Sequence, residues 1–276
     1  MLPVRLLAWN LFHGRDAPPN RALHTRRSLF LRATERDATH VQVNRPLREE
    51  FAVVLAALPW DVALLQEAPP QWLEPLCRRL EADGALALTA RNALPGPRRL
   101  AARLNPDLVR SGEGGSNQVL VRAPWRLAAT RRLTLTRRPE RRRMIWARVA
   151  APGGAALAVA SVHLTVGAPP AAAHEAALAA EHAVRWAGAD PLVFGGDFNL
   201  SPGRSPTLFA ELEERFGLAP ATAPDAIDHL LARGLRPLEP PRRLDPRARE
   251  LPAAGARALR LSDHAPVLAR YERVPA

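Results

Sequence analysis

Short apolar runs bounded by polar or Gly/Pro clusters recur along the whole chain, and they limit the possible folds more than any other feature. Residues 4–9, 61–66, 118–122, 144–149, 157–163, 192–194, 227–231 and 266–271 read as strands. Longer segments at 47–58, 71–82, 171–187 and 206–216 read as helices. The last has the clearest boundaries, with Ser205 at the N-cap, Pro206 as the first helical residue and Gly217 as a stop. Strands and helices alternate, but some strands follow one another directly. That order predicts a mixed-sheet α/β protein rather than a parallel barrel. No internal repeat of fixed period is visible.

A chain of 276 residues buries a sizeable core without staples. Its 47% hydrophobic and 24% charged residues exclude a mainly disordered chain. The lone cysteine, Cys77, excludes a disulfide scaffold and a Cys-rich zinc site. The net charge is +12, and arginine supplies every Lys/Arg position. A cationic surface suits a phosphate-bearing partner; solubility and a GC-rich coding bias are the alternative explanation. The most apolar stretch, 151–162, contains Pro152, Gly153 and Gly154 and is too short to span a bilayer. Arg5 interrupts the N-terminal apolar run, so no secretory signal is expected and the protein reads as cytoplasmic, with no obligate protein partner inferred. The Arg- and Pro-rich segments 131–143 and 238–255 read as surface loops, and 14–48 as a long connection of mixed polarity.

The most informative stretch is Pro191-Leu-Val-Phe-Gly-Gly-Asp197-Phe-Asn199-Leu-Ser-Pro. An apolar strand runs into two glycines, then into an acid and an amide two residues apart. Such residues project to the same side of an extended chain. An Asx turn at a strand end is the plainer explanation. Other strand ends repeat the theme: Asn10 after Leu7-Ala-Trp, Glu67 after Val62-Ala-Leu-Leu-Gln, His163 after Ser161-Val, and Asp263-His264 after Leu261-Ser. Taken singly, each is an ordinary solvated or core polar residue.

Taken in order, these residues resemble the endonuclease/exonuclease/phosphatase superfamily, the fold of DNase I. The segments LLAWNLFHG, DVALLQE, SNQVLVR, ERRRMIWARV, LAVASVHL, VFGGDFNLSP, AIDHLLARGL and LSDHAPVLA carry the resemblance over essentially the whole chain. The resemblance implies one α/β domain over 1–276, a DNase I-like four-layer sandwich of two mixed β-sheets flanked by helices. It also implies a divalent metal, Mg²⁺ or Mn²⁺, on Asn10, Glu67 and Asp263. Asp197 would orient or deprotonate the attacking water, and Asn199 would hold a phosphate oxygen or the nucleophile. His264 would face the phosphate with Asp228 behind its other ring nitrogen. His163 matches a second phosphate-facing imidazole and Asn117 an amide on a central strand. Arg142 matches an arginine that approaches the scissile phosphate, with Arg143 one residue away as the alternative. His229 reads as structural.

Departures from the well-known subfamilies are equally clear. Phe12 stands where exonuclease III-type repair enzymes carry an acid, and the single tyrosine, Tyr271, lies outside the motifs. The strand AIDHLL lacks the Cys-Asp-Arg motif of the 5-phosphatases, and the signals and disulfides of secreted sphingomyelinases and DNases are missing. His13 and the 14–48 insertion either shape a distinctive pocket or form a variable surface loop. The expected activity is divalent-metal-dependent phosphodiester hydrolysis, with nucleic acid favoured as substrate by the charge. The alternatives are a phosphatase or phosphodiesterase acting on a small phosphorylated molecule or lipid headgroup, and a catalytically inactive binding protein of the same fold. The complete polar set argues against the last.

Overall fold

A computed structural model describes residues 3–19, 39–43, 47–89, 115–138 and 140–273. Strands β1 (Val4–Asn10), β2 (Val62–Ala68), β3 (Ala82–Leu88), β4 (Ser116–Arg122), β10 (Leu235–Arg243) and β13 (Val267–Arg273) form one sheet in the order β10-β13-β1-β2-β4-β3. Strands β5 (Arg126–Thr136), β6 (Arg142–Ala150), β7 (Ala156–His163), β8 (Leu192–Asp197) and β9 (Asp228–Arg233) form the second in chain order. Each sheet is mixed. β1 runs parallel to β2, and β7 parallel to β8, while the remaining pairs are antiparallel. A small hairpin, β11 (Glu250–Pro252) with β12 (Ala258–Arg260), stands apart.

The period-two pleat explains the layering. Leu6 and Ala8 of β1 enter a core shared with Ile145, Val159, Val193 and Leu230 of the second sheet. Leu7 and Trp9 turn outward, onto helices α1 (Arg48–Ala57) and α2 (Leu73–Leu80). The outer face of the second sheet packs Ala160, Val162 and Phe194 against α3 (Pro169–Ala187) and α4 (Pro206–Phe216). The result is helix, sheet, sheet, helix: a four-layer sandwich in which the central strands are buried on both faces. The Tyr271 hydroxyl crosses between the sheets and donates to the Leu230 carbonyl at 2.6 Å. No helix among the described residues is long and apolar enough to cross a membrane.

Two segments expected as loops are instead edge strands. β10 contains Pro237, Pro240 and Pro241 and lies at the rim of the six-stranded sheet, with register shifts against β13. An edge strand tolerates proline because its outer N–H groups need no partner. β5, rich in arginine, is the rim of the other sheet, where charge discourages pairing with another chain. α4 begins at Pro206 and ends at Gly217 (φ +67°) as expected, although the Ser205 side chain makes no capping bond. Of the 14–48 connection, Ala17 donates to the Arg260 carbonyl at 2.9 Å and Val41 to the Ala258 carbonyl at 2.9 Å. Its residues 20–38 and 44–46 lie outside the described residues.

Candidate active site

Strand register assembles the site. His163, Asp197 and Asp228 sit opposite one another across β7, β8 and β9. Asn10 and Glu67 arrive from the ends of β1 and β2 in the facing sheet. Asn10 joins the two halves: its Nδ2 donates to Asp197 Oδ2 at 2.9 Å, and its Oδ1 accepts the Phe12 N–H at 2.9 Å. Asp197 Oδ1 accepts the Asn199 N–H at 2.9 Å, which is an Asx turn, and Asn199 Nδ2 donates to the Leu164 carbonyl at 3.0 Å. The two glycines before Asp197 are required by space. A Cβ on Gly196 (φ +125°) would lie 2.1 Å from the Val162 carbonyl oxygen, and one on Gly195 2.5 Å from that of His229.

His264 comes from the loop leading into β13. Its N–H donates to Ser262 Oγ at 3.0 Å, which donates to the Asn10 carbonyl at 2.6 Å, while Trp9 Nε1 donates to the His264 carbonyl at 3.0 Å. These bonds fix the loop to β1 and aim the ring. His264 Nδ1 lies 2.8 Å from Asp228 Oδ2, leaving Nε2 3.8 Å from Asp197 Oδ2 and 3.9 Å from Asp263 Oδ1. Burial opposes a charged ring here, but Asp228, with Asp197 and Asp263, outweighs it and pushes the pKa up to about 10. The buried Asp197 carboxyl is pushed up to about 7, by burial first and by Asp228 next.

The second imidazole has the opposite character. Arg142 Nη1 lies 3.1 Å from His163 Nδ1. A guanidinium only donates, so Nδ1 accepts and the proton sits on Nε2. Burial, then Arg142, depresses this ring to about 3. Its Nε2 faces Glu67 Oε1 at 3.7 Å and Asp197 Oδ2 at 3.6 Å. Arg142 is itself buried and pairs with Glu140 at 2.8 Å, so two of its nitrogens are already engaged.

Most of the predicted set therefore meets around one cavity of about 350 Å³, whose wall includes Glu67, Arg142, His163, Asp197, Asn199, Asp263 and His264. Asn10 is buried beneath it. Asp228 opens on an adjoining cavity of about 470 Å³ that also contains Arg243, Arg249 and His264. Asn117 is not on either wall; its Nδ2 donates to the Arg143 carbonyl at 2.7 Å and ties β4 to β6. His229 is structural: Nε2 faces the Leu200 carbonyl at 3.1 Å, and the ring packs between Phe198 and Phe209. Sequence reasoning missed Glu140, for which the only signal was an acid directly before three arginines. A cavity of about 510 Å³ at the other end of the strands holds the Arg5–Asp61 pair and none of these groups.

Four residues of the wall have left-handed backbone, Phe12 (φ +49°), His13 (+55°), Glu67 (+47°) and Asn199 (+53°), and Phe12 and His13 are consecutive. For a residue with a Cβ this costs about 1–2 kcal/mol. The turn places His13 Nε2 3.2 Å from Glu67 Oε2. Burial would raise the Glu67 carboxyl, but His13, His163 and a hydrogen bond from Asn10 hold it below its ordinary value. Asp263 is raised, by burial and by repulsion from Glu67. The donor chemistry thus fits a hard divalent cation: Glu67 and Asp263 are carboxylates that repel each other, and Asn10 Oδ1 has a second lone pair. Asp197, Asp228 and His264 also offer ligating atoms within 4.8 Å of one another.

A family model described as "Endonuclease/Exonuclease/phosphatase family" matches residues 7–264. The chain belongs to the endonuclease/exonuclease/phosphatase family. Solved structures of this fold agree. A family member from Bacteroides vulgatus superposes with a TM-score of 0.64 at 15% identity, over 99% of this chain and 100% of that one. A mannosyl-6-phosphatase from Bacteroides thetaiotaomicron gives 0.62 at 15% identity, over 99% and 100%. The TDP2 protein of D. rerio, complexed with a single-strand DNA product, gives 0.60 at 13% identity, over 99% and 100%. No curated protein matches the sequence. Family membership and the clustered acids and histidines support a metal-dependent phosphoesterase in general; a mannosyl-6-phosphatase and a protein complexed with a single-strand DNA product share the fold.

Proposed function

We propose that this family member is a divalent-metal-dependent phosphodiesterase acting on nucleic acid. The observation that carries the reading is the buried Asp197, held by Asn10 at 2.9 Å and 3.8 Å from the Nε2 of an Asp228-backed His264. Asp197, raised toward neutral pH, takes the proton of the attacking water, since a base is most effective with a pKa near the working pH. His264, carrying its proton, donates to a phosphoryl oxygen. His163, neutral with Nε2–H, is a second donor on the same cavity. A divalent cation held by Glu67, Asn10 and Asp263 would neutralise charge developing on the phosphoryl group. Water forms the new P–O bond and gives one proton to Asp197, the ester P–O bond breaks, the leaving alkoxide takes a proton from solvent water, and Asp197 returns its proton to solvent. Nucleic acid is favoured by the net charge of +12.

The test is a hydrolysis panel with Mg²⁺, Mn²⁺ or EDTA. It contains bis-p-nitrophenyl phosphate, duplex and single-stranded DNA, RNA, inositol phosphates and sphingomyelin. Chelation is expected to abolish activity and either cation to restore it. Glu67→Gln is expected to raise the Mg²⁺ needed for half-maximal rate by about tenfold or more, the usual cost of a disturbed metal site. Full activity in EDTA refutes the metal. Turnover confined to monoesters moves the reading to a small-molecule phosphatase.

A further inference from the structure

The strained turn after β1 sets His13 against Glu67 and also presents the Phe12 side chain, which the phosphoester chemistry does not use. Two successive non-glycine residues with positive φ persist only where the surroundings over-determine them. Phe12 meets that condition. Its N–H is held by Asn10 at 2.9 Å, and its carbonyl accepts from the Arg15 N–H at 3.2 Å and from Arg15 Nε at 3.4 Å. The Ser262 N–H donates to the Arg15 carbonyl at 2.9 Å, tying the turn to the segment that carries His264. Gly14 presses on the Trp72 ring so closely that a Cβ would lie 2.1 Å from it.

All this structure presents a half-buried phenyl ring to a cavity otherwise rich in carboxylates and imidazoles. Among the described residues, Phe12 is part of none of the three hydrophobic clusters. The Arg15 guanidinium, 4.0 Å from the ring centroid, covers one face, and Arg15 is only 5% exposed. Val166, 66% exposed, adds a second apolar group to the cavity wall. An aromatic residue that carries a guanidinium over one ring face and lines a phosphoester cavity suits a flat partner.

We infer that Phe12 is a stacking platform for the nucleobase joined through its sugar to the scissile phosphate. The inference rests on the phosphodiesterase reading above and adds the group that this site recognises beyond the phosphate. A nucleic-acid strand and a dinucleotide share this chemistry.

The experiment compares kcat/KM for thymidine 5′-(p-nitrophenyl phosphate) and methyl p-nitrophenyl phosphate. The two diesters share the leaving group and differ in the nucleoside. Wild type, Phe12→Leu and Phe12→Trp are each measured. Stacking of a base on an aromatic side chain accounts for roughly 5- to 150-fold in binding. Phe12→Leu is expected to lower the nucleoside-to-methyl ratio by that factor, mainly through KM, and Phe12→Trp to preserve it. A ratio unmoved by Phe12→Leu overturns the platform while leaving phosphodiester hydrolysis standing. Failure of wild type to hydrolyse either ester overturns the phosphodiesterase reading. In that case fluorescence quenching of 2-aminopurine nucleotide in EDTA still tests the platform: equal quenching by wild type and Phe12→Leu refutes it. A loss shared by a dinucleoside monophosphate and an oligothymidylate supports stacking at the scissile nucleotide. A loss on the oligothymidylate alone overturns that placement.

Discussion

Replacing Asp228 with asparagine is expected to discharge His264 and remove most of the activity. The carboxylate lies 2.8 Å from His264 Nδ1, and only 16% of the imidazole side chain is exposed. Wild-type His264 therefore keeps its proton until about pH 10. In Asp228→Asn the burial that opposes charge persists while its main counterweight is gone, so the ring loses its proton near or below its ordinary value of about 6.5. At pH 8 the wild-type ring is a charged donor and the variant ring is neutral. Loss of an oriented donor or acid lowers kcat by about 10²–10⁴-fold. The alkaline limb of the pH–rate profile should move down by about three pH units, following the shift just described. Stability changes in the same direction. A histidine with a raised folded pKa stabilises the native state fully below about pH 6.5, and that contribution disappears as the pH climbs through about 10. The wild type should thus exceed the variant most at pH 6 and least at pH 10. Breaking a buried pair costs about 3–5 kcal/mol when the remaining charge is trapped; here the ring escapes part of that cost by deprotonating. The assays are pH–rate profiles, urea unfolding at pH 6 and 10, and NMR titration of the ring. His264→Ala and the double variant complete the cycle. Near-additive losses, or a wild-type alkaline limb in Asp228→Asn, would refute the pairing.

Gly196→Ala should destabilise the protein by about 3–5 kcal/mol, because the new methyl meets the Val162 carbonyl in a backbone conformation closed to L-residues. A urea midpoint within error of wild type would contradict this. The nitrogen NMR shifts of His163 should report a neutral Nε2–H ring from pH 5 to 8, and Arg142→Met should scramble that tautomer while Arg142→Lys retains it. An Nδ1–H ring in wild type would show that Arg142 does not orient it.

Which parts of the fold were readable in sequence follows from where each strand sits. β1, β2, β7 and β8 are central, with helices outside and the other sheet inside, so nearly every residue is buried and the runs are continuously apolar. β5 and β10 are rim strands. Their burial is shallow, their composition is arginine and proline, and that is also the composition of a loop. β3 reads weakly for another reason. Gly84 interrupts it because a Cβ there would come within 2.5 Å of Cys77 Sγ on α2. That contact is decided by helix packing and leaves no local mark.

The site was readable as an inventory and unreadable as a circuit. A polar residue that ends a buried apolar strand is ordinary when taken singly, and it is the order of Asn10, Glu67, His163 and Asp197 along the chain that marks them as a set. Their partners come from the facing sheet or from distant loops, and no periodicity encodes those pairings. Arg142 lines the cavity as the resemblance implies, and its guanidinium also contacts His163, one strand away, and Glu140, which the sequence does not signal. The consequence is chemical. His163 and His264 lie 3.6 and 3.8 Å from the same carboxylate oxygen of Asp197, and both are largely buried. As letters in a sequence they are identical. One is held neutral down to about pH 3 by burial and by the guanidinium behind it; the other is held charged up to about pH 10 by the carboxylate behind it, against the same burial. Between a neutral donor and a charged donor, Asp197 is the group of the three that changes charge near neutral pH, so a rate that needs its carboxylate should rise with pH through about 7.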